Sequence, residues 1–113
     1  MFNINTDTKE IYTVKGDTAN FAMNIAPYQN QEGDKLTFTV KTRYGAPAVR
    51  IIEADENGQF HIPHSAYDNI APGYYLYDIQ LTTEQGEVYT VVGPANMTID
   101  IEITAEEDDT DAE

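Results

Sequence analysis

A period of two runs through most of this chain. Apolar and polar residues alternate in six segments, which is the repeat of a strand with one face on a core, because successive side chains leave a strand on opposite sides. Ala19, Phe21, Met23 and Ile25 alternate with Thr18, Asn20 and Asn24, and Leu36, Phe38 and Val40 alternate with Lys35, Thr37, Thr39 and Lys41. The cleanest case is Met97, Ile99, Ile101 and Ile103 against Thr98, Asp100, Glu102 and Thr104, which predicts a last strand with an acidic outer face. No window of a dozen residues carries a 3.6 period. The best helical candidate is a single turn from His64 to Asn69, closed by Ala71-Pro72-Gly73.

Two pairs of segments read as hairpins, and asking which turn sets apolar residues opposite one another fixes their register. Around Asp55-Glu56-Asn57-Gly58, a three-residue loop with Gly58 left-handed pairs Ala54 with Phe60 and Ile52 with Ile62. A two-residue Asn-Gly turn would set Asp55 against Phe60 and mix charge with core. Around Thr83-Glu84-Gln85-Gly86-Glu87, a left-handed Gly86 pairs Leu81 with Tyr89 and Ile79 with Val91.

A chain of 113 residues supports one core, expected over residues 1–104. The last nine residues, 105–113, hold six acids and no bulky apolar group, so they are expected to form a disordered acidic tail. The absence of cysteine excludes a disulfide framework and any thiolate metal site, which suits a cytosolic or virion setting. Neither an export signal nor a membrane span is visible in the sequence. The net charge of −14 is uneven: all six basic residues precede position 51, and fifteen of the twenty acids follow it. Such a field repels phosphate backbones and anionic lipids, so nucleic acid and membrane are not expected partners.

Residues that could carry chemistry are sparse. The lone serine, Ser65, adjoins His64, and neighbours in a tight turn make a poor nucleophile–base pair. His61 and His64 would converge on a helix but stagger along a proline-broken strand. Glu53, Asp55, Asn57 and Gly58 open like a calcium loop, yet the twelfth position is His64 rather than the bidentate glutamate. Asn96-Met97-Thr98 is a glycosylation sequon with no secretory route evident. No catalytic, cofactor or metal residue is therefore assigned, no cofactor is expected, and the protein is expected not to be an enzyme.

Eight tyrosines are the remaining feature. Tyr75, Tyr77 and Tyr89 fall on the expected core face. Tyr28, Tyr44, Tyr67 and Tyr74 fall in loops or on the outer face, as loop anchors ahead of recognition groups. Without an evident exposed aromatic row, no binding to simple saccharides is expected. Gly73-Tyr74-Tyr75-Leu76-Tyr77 has the spacing of the tyrosine corner of immunoglobulin-like sandwiches, with the Tyr75 hydroxyl bonding back to upstream backbone. The expected fold is an immunoglobulin-like antiparallel β-sandwich of about seven strands.

The runs Ala71-Pro72-Gly73-Tyr74-Tyr75-Leu76-Tyr77-Asp78-Ile79-Gln80-Leu81-Thr82, Gly86-Glu87-Val88-Tyr89-Thr90-Val91 and Ile99-Asp100-Ile101-Glu102-Ile103-Thr104, with the opening Tyr12-Thr13-Val14-Lys15-Gly16-Asp17-Thr18, carry a resemblance over most of residues 10–104. The chain resembles small β-sandwich proteins encoded among tail and baseplate genes of phages and prophages of Gram-positive bacteria, including the N-terminal domain of the baseplate upper protein. The resemblance implies a virion structural protein without catalysis, assembled in the host cytoplasm, whose partners are other virion structural proteins or further copies of itself. It transfers no functional residues. Two other readings stand beside it: a carbohydrate-binding or adhesion module using outer tyrosines, and an acidic decoy that mimics nucleic acid.

Overall fold

The computed structural model describes residues 2–25, 28–29 and 31–101. Among them are eight strands and no helix: β1 (Phe2–Ile4), β2 (Ile11–Val14), β3 (Ala19–Phe21), β4 (Lys35–Lys41), β5 (Ala48–Glu53), β6 (Phe60–Ile62), β7 (Gly73–Thr82) and β8 (Val88–Asp100). The fold is all-β, as the alternation predicts. Six strands form one sheet in the order β1-β2-β8-β7-β4-β5, and β3 pairs with β6 in a second sheet. The acidic tail and the last three residues of the expected final strand, 102–104, lie outside the described residues.

The strand count and the strand directions differ from expectation. The described residues hold eight strands rather than about seven, and the large sheet is mixed, because β2 runs parallel to β8 with Ile11 opposite Met97 and Val14 opposite Asp100. Parallel neighbours cannot be joined by a tight turn, so this pair brings together opposite ends of the sequence, a relation that periodicity does not encode. β1 pairs antiparallel with β2 and is only three residues long, too short for alternation to reveal. The expected strand over Ala19 to Ile25 keeps its pairing only to Phe21, although Ile25 is still buried. Residues 64–70 form no helix. They make three successive turns, Ala66 N–H to Pro63 O, Asp68 N–H to Ser65 O and Ile70 N–H to Tyr67 O, which turn Ala66, Tyr67 and Ile70 into the core.

The core lies where the two sheets meet. Phe38 of β4 stacks on Tyr77 of β7 with ring centroids 5.0 Å apart, and meets Phe21 of β3 and Phe60 of β6 edge-on, each at 5.9 Å. Each such pair contributes about 0.5–1.5 kcal/mol beyond the area it buries. The Tyr75 hydroxyl donates to the Ala71 carbonyl at 2.5 Å, the bond expected of the corner. The Tyr77 hydroxyl donates to the Lys9 carbonyl, tying β7 to the loop that precedes β2. Burial pushes the Tyr77 hydroxyl up to about 12.

The two expected turns are present, and their outcomes differ. Gly58 and Gly86 both take positive φ, at 80° and 91°. After Gly86 the strands pair with Leu81 opposite Tyr89, as expected, but Ile79 lies opposite Val92 rather than Val91. β8 holds one extra residue there and a second before Ala95, so the segments expected as separate strands are one strand, bulged twice around Gly93-Pro94. Pro94 has no N–H to give to a ladder, which favours a break in regular pairing at that point. Two insertions restore the in–out alternation, so Met97 and Ile99 are buried opposite Tyr75 and Gly73. Ile101, expected on the core, lies past the end of β8 and is 52% exposed.

Candidate binding site on the outer face of the large sheet

Strand register creates a row of side chains that no local stretch of sequence contains. Asn3 of β1 lies opposite Tyr12 of β2, Tyr12 opposite Thr98 of β8, and Thr98 opposite Tyr74 of β7. Their chain neighbours Ile11, Thr13, Met97, Ile99 and Tyr75 are buried, so this row faces outward. Tyr12 and Tyr74 therefore flank a threonine at two strand spacings, about 9.5 Å at roughly 4.8 Å per strand. Tyr74 is 86% exposed and Tyr12 is 37% exposed.

A second row stands two residues further along the strands. Asn96 Nδ2 donates to Glu10 Oε2 at 3.4 Å, and the Glu10 carbonyl accepts the Asn5 N–H at 2.9 Å. The Asn5 side chain holds its own loop, its Oδ1 accepting from the Asp7 and Thr8 N–H groups at 2.8 and 3.0 Å. The two rows line an open depression of about 560 Å³. That volume lies within the roughly 300–1,000 Å³ typical of small-molecule sites.

The Tyr12 ring is held in place. Its hydroxyl donates to Asp100 Oδ2 at 2.8 Å, while Asp100 Oδ1 accepts the Ile101 N–H at 2.8 Å. The bond between them holds the Tyr12 hydroxyl above its ordinary range and the Asp100 carboxyl below its own. The depression thus offers two aromatic side chains, amides, a threonine and the Glu10 carboxylate, with no lysine or arginine among its lining residues. Such a surface can both donate to and accept from a hydroxyl-rich ligand.

The residues considered from sequence are dispersed. His61 bonds Asp55 Oδ2 through Nε2 at 2.8 Å and Asn20 Oδ1 through Nδ1 at 2.7 Å, whereas His64 Nδ1 meets the Gly16 carbonyl at 2.6 Å. The two imidazoles serve different loops. Asp55 Oδ1 accepts the Asn57 and Gln59 N–H groups at 2.9 and 3.0 Å, so the calcium-like segment is a turn that uses its own carboxylate. The His61 contact, followed by these backbone bonds, holds Asp55 below the usual carboxylate range. Among the described residues no three histidine, aspartate or glutamate side chains converge as metal ligands would.

Two of the four outer tyrosines are anchors. Tyr67 is fully buried, which pushes its hydroxyl up to about 12, and Tyr28 stacks on Tyr89 at 5.1 Å. Tyr44 is 73% exposed beside a recess of only about 90 Å³. Tyr74 lines the larger depression; of its partners, Asn3 and Glu10 are not singled out from sequence, Tyr12 enters only in the run that carries the resemblance, and Asn96 and Thr98 only in the sequon and the last strand's alternation. Alternation sets Thr98 on the outer side of the last strand and leaves Tyr74 a loop or outer-face residue, but it reveals neither β1 nor β2, which carry Asn3 and Tyr12. The adjacency of the row depends on the parallel β2–β8 pair, which no local signal encodes. Comparison with known proteins adds no relative: no protein-family model matches the chain, and no curated protein matches it.

Proposed function

We propose that this chain is a non-enzymatic structural protein of a phage or prophage virion, a tail or baseplate accessory component that acts by protein–protein assembly. Its two facing sheets and tyrosine corner support reading the fold as an immunoglobulin-like sandwich with a modified N-terminal edge. The observation that carries the assembly reading is the exposure of Ile51. This β-branched side chain sits on β5, an outer strand of the large sheet, opposite outward-facing Thr39, and is 57% exposed.

An edge strand ordinarily invites pairing with any free strand, and proteins blunt it with short strands or inward-turned charges. Both devices are present. β1 has three residues, and on β5 the Arg50 guanidinium reaches the Asp68 carbonyl at 2.7 Å. A partner therefore covers the side-chain surface around Ile51 rather than extending the sheet indiscriminately. Co-expression with the products of neighbouring genes, followed by pull-down and light scattering, tests this. Ile51→Lys is expected to abolish co-assembly and leave the melting temperature within a few degrees. Co-assembly unchanged by Ile51→Lys refutes the proposed surface, and an absence of any assembly refutes the function.

A further inference from the structure

We infer that the depression between Tyr12 and Tyr74 binds an uncharged saccharide. This goes beyond the assembly reading and uses a different part of the molecule, since Ile51 is on β5 and the depression spans β1, β2, β8 and β7.

A tyrosine that is 86% exposed on a regular strand gains nothing from the core, and a second outward tyrosine two strands away, with only a threonine between them, gives one depression lined by two aromatic side chains. The weakly positive C–H groups of a sugar ring suit the negative face of an aromatic ring. The depression is also partly organised in advance, because Asp100 fixes the Tyr12 hydroxyl and Asp100 is itself held by the Ile101 N–H. A ligand then meets a ring whose rotamer freedom has already been reduced, which lowers the entropy cost of binding.

The polar groups narrow the ligand class. Sugar hydroxyls both donate and accept, and the floor offers the Glu10 carboxylate as acceptor, the Asn96 amide beside it, and the Thr98 hydroxyl, which does both. An anionic ligand is disfavoured by Glu10, by Asp100 at the rim and by the net charge of −14, with no cationic side chain in the lining. A cationic peptide is the competing occupant. Asp100 already accepts at both oxygens, from the Tyr12 hydroxyl and the Ile101 N–H, which leaves Glu10 as the lone lining carboxylate for a lysine, against two aromatic side chains that suit a sugar ring. The expectation of no saccharide binding rested on the lack of an evident exposed aromatic row, and the Asn3–Tyr12–Thr98–Tyr74 row removes that ground.

Two-dimensional NMR titration of the full chain tests the inference. The probes are glucose, galactose, N-acetylglucosamine and their di- and trisaccharides, with sialyllactose as anionic control and trilysine as cationic control. At least one neutral sugar is expected to shift the amides of Asn3, Glu10, Tyr12, Tyr74, Asn96 and Thr98 together. Tyr74→Ala should weaken its affinity about tenfold, the loss of one stacked aromatic, while Tyr74→Phe largely retains it. Thermal melting of both variants checks that they remain folded. The inference is overturned if no neutral sugar shifts these amides, if Tyr74→Ala binds as the parent does, or if trilysine occupies the depression and the sugars do not.

Discussion

The turns at Asp55–Gln59 and Thr83–Glu87 are built alike and lead to different structures. In each, the first residue's N–H bonds the fifth residue's carbonyl at 2.8 Å, and a glycine in fourth place, with φ of 80° or 91°, returns its N–H to the first carbonyl at 3.0 or 2.9 Å. A side-chain oxygen, from Asp55 or Thr83, also accepts the fifth residue's N–H at 3.0 Å. Beyond Thr83–Glu87 the strands zip into the β7–β8 ladder, whereas beyond Asp55–Gln59 they part, β5 to β4 and β6 to β3 in the other sheet. Turn chemistry sets the reversal and its first facing residues. What the strands do next depends on where their apolar side chains find partners, and for Phe60 these are Phe21 and Phe38, on different sheets.

Removing the aromatic partner set of Phe60 has the largest expected effect. Phe60→Ala should cost about 3–5 kcal/mol in chemical denaturation, as for other fully buried aromatics. Hydrogen exchange should show protection lost first in β3 and β6, with the β7–β8 ladder retained. Uniform loss across both hairpins would mean that Phe60 does not decide the parting of β5 and β6.

Alanine at the two glycines isolates the turns themselves. A left-handed alanine costs about 1–2 kcal/mol, and Gly86 has open space around its missing Cβ, so Gly86→Ala should show that strain alone. Gly58 is buried, and Gly58→Ala should cost more than Gly86→Ala in matched denaturation curves. Equal losses would show that the parted turn is no more tightly packed than the zipped one.

The smallest effect separates the turns by pH. Asp55 carries a lowered carboxyl and Thr83 cannot titrate. A group whose folded value lies below its unfolded value stabilises the fold above the unfolded value, near 3.8, and that contribution fades as pH falls through the lower folded value. Melting temperatures taken from pH 6 down to pH 2 should therefore fall less steeply for Asp55→Asn than for the parent, while Thr83→Ala leaves the slope unchanged. The exposure of Asp55 keeps the difference small. Identical slopes for Asp55→Asn and the parent would remove the carboxylate from the turn's stability.

Much of the molecule was legible because strand alternation and turn glycines are local signals. The in-facing parity of Leu36, Phe38 and Val40, the left-handed Gly58 and Gly86, the Leu81–Tyr89 pair and the Tyr75 hydroxyl bond all follow from residues close in sequence. The bulges at Gly93-Pro94 left a trace, a proline in a strand, but not the count of inserted residues that turned Ile79 toward Val92. The Tyr12–Tyr74 depression was half legible. Tyr74 reads from sequence as a loop or outer-face residue, whereas Tyr12, on the four-residue β2, carries no such reading, and nothing local sets the two side by side.

The sequence by itself determined that the chain would build strands, which faces they would bury and where they would reverse, because side-chain parity and glycine φ are set within a few residues. Only the tertiary structure decided which strands became neighbours. That choice made β2 a parallel partner of β8, sent β6 to a second sheet, and set Tyr12 and Tyr74 across one threonine. The physical reason is that backbone hydrogen bonds between strands are alike along the chain and carry no address, so partners are selected by the shape and volume of the shared core.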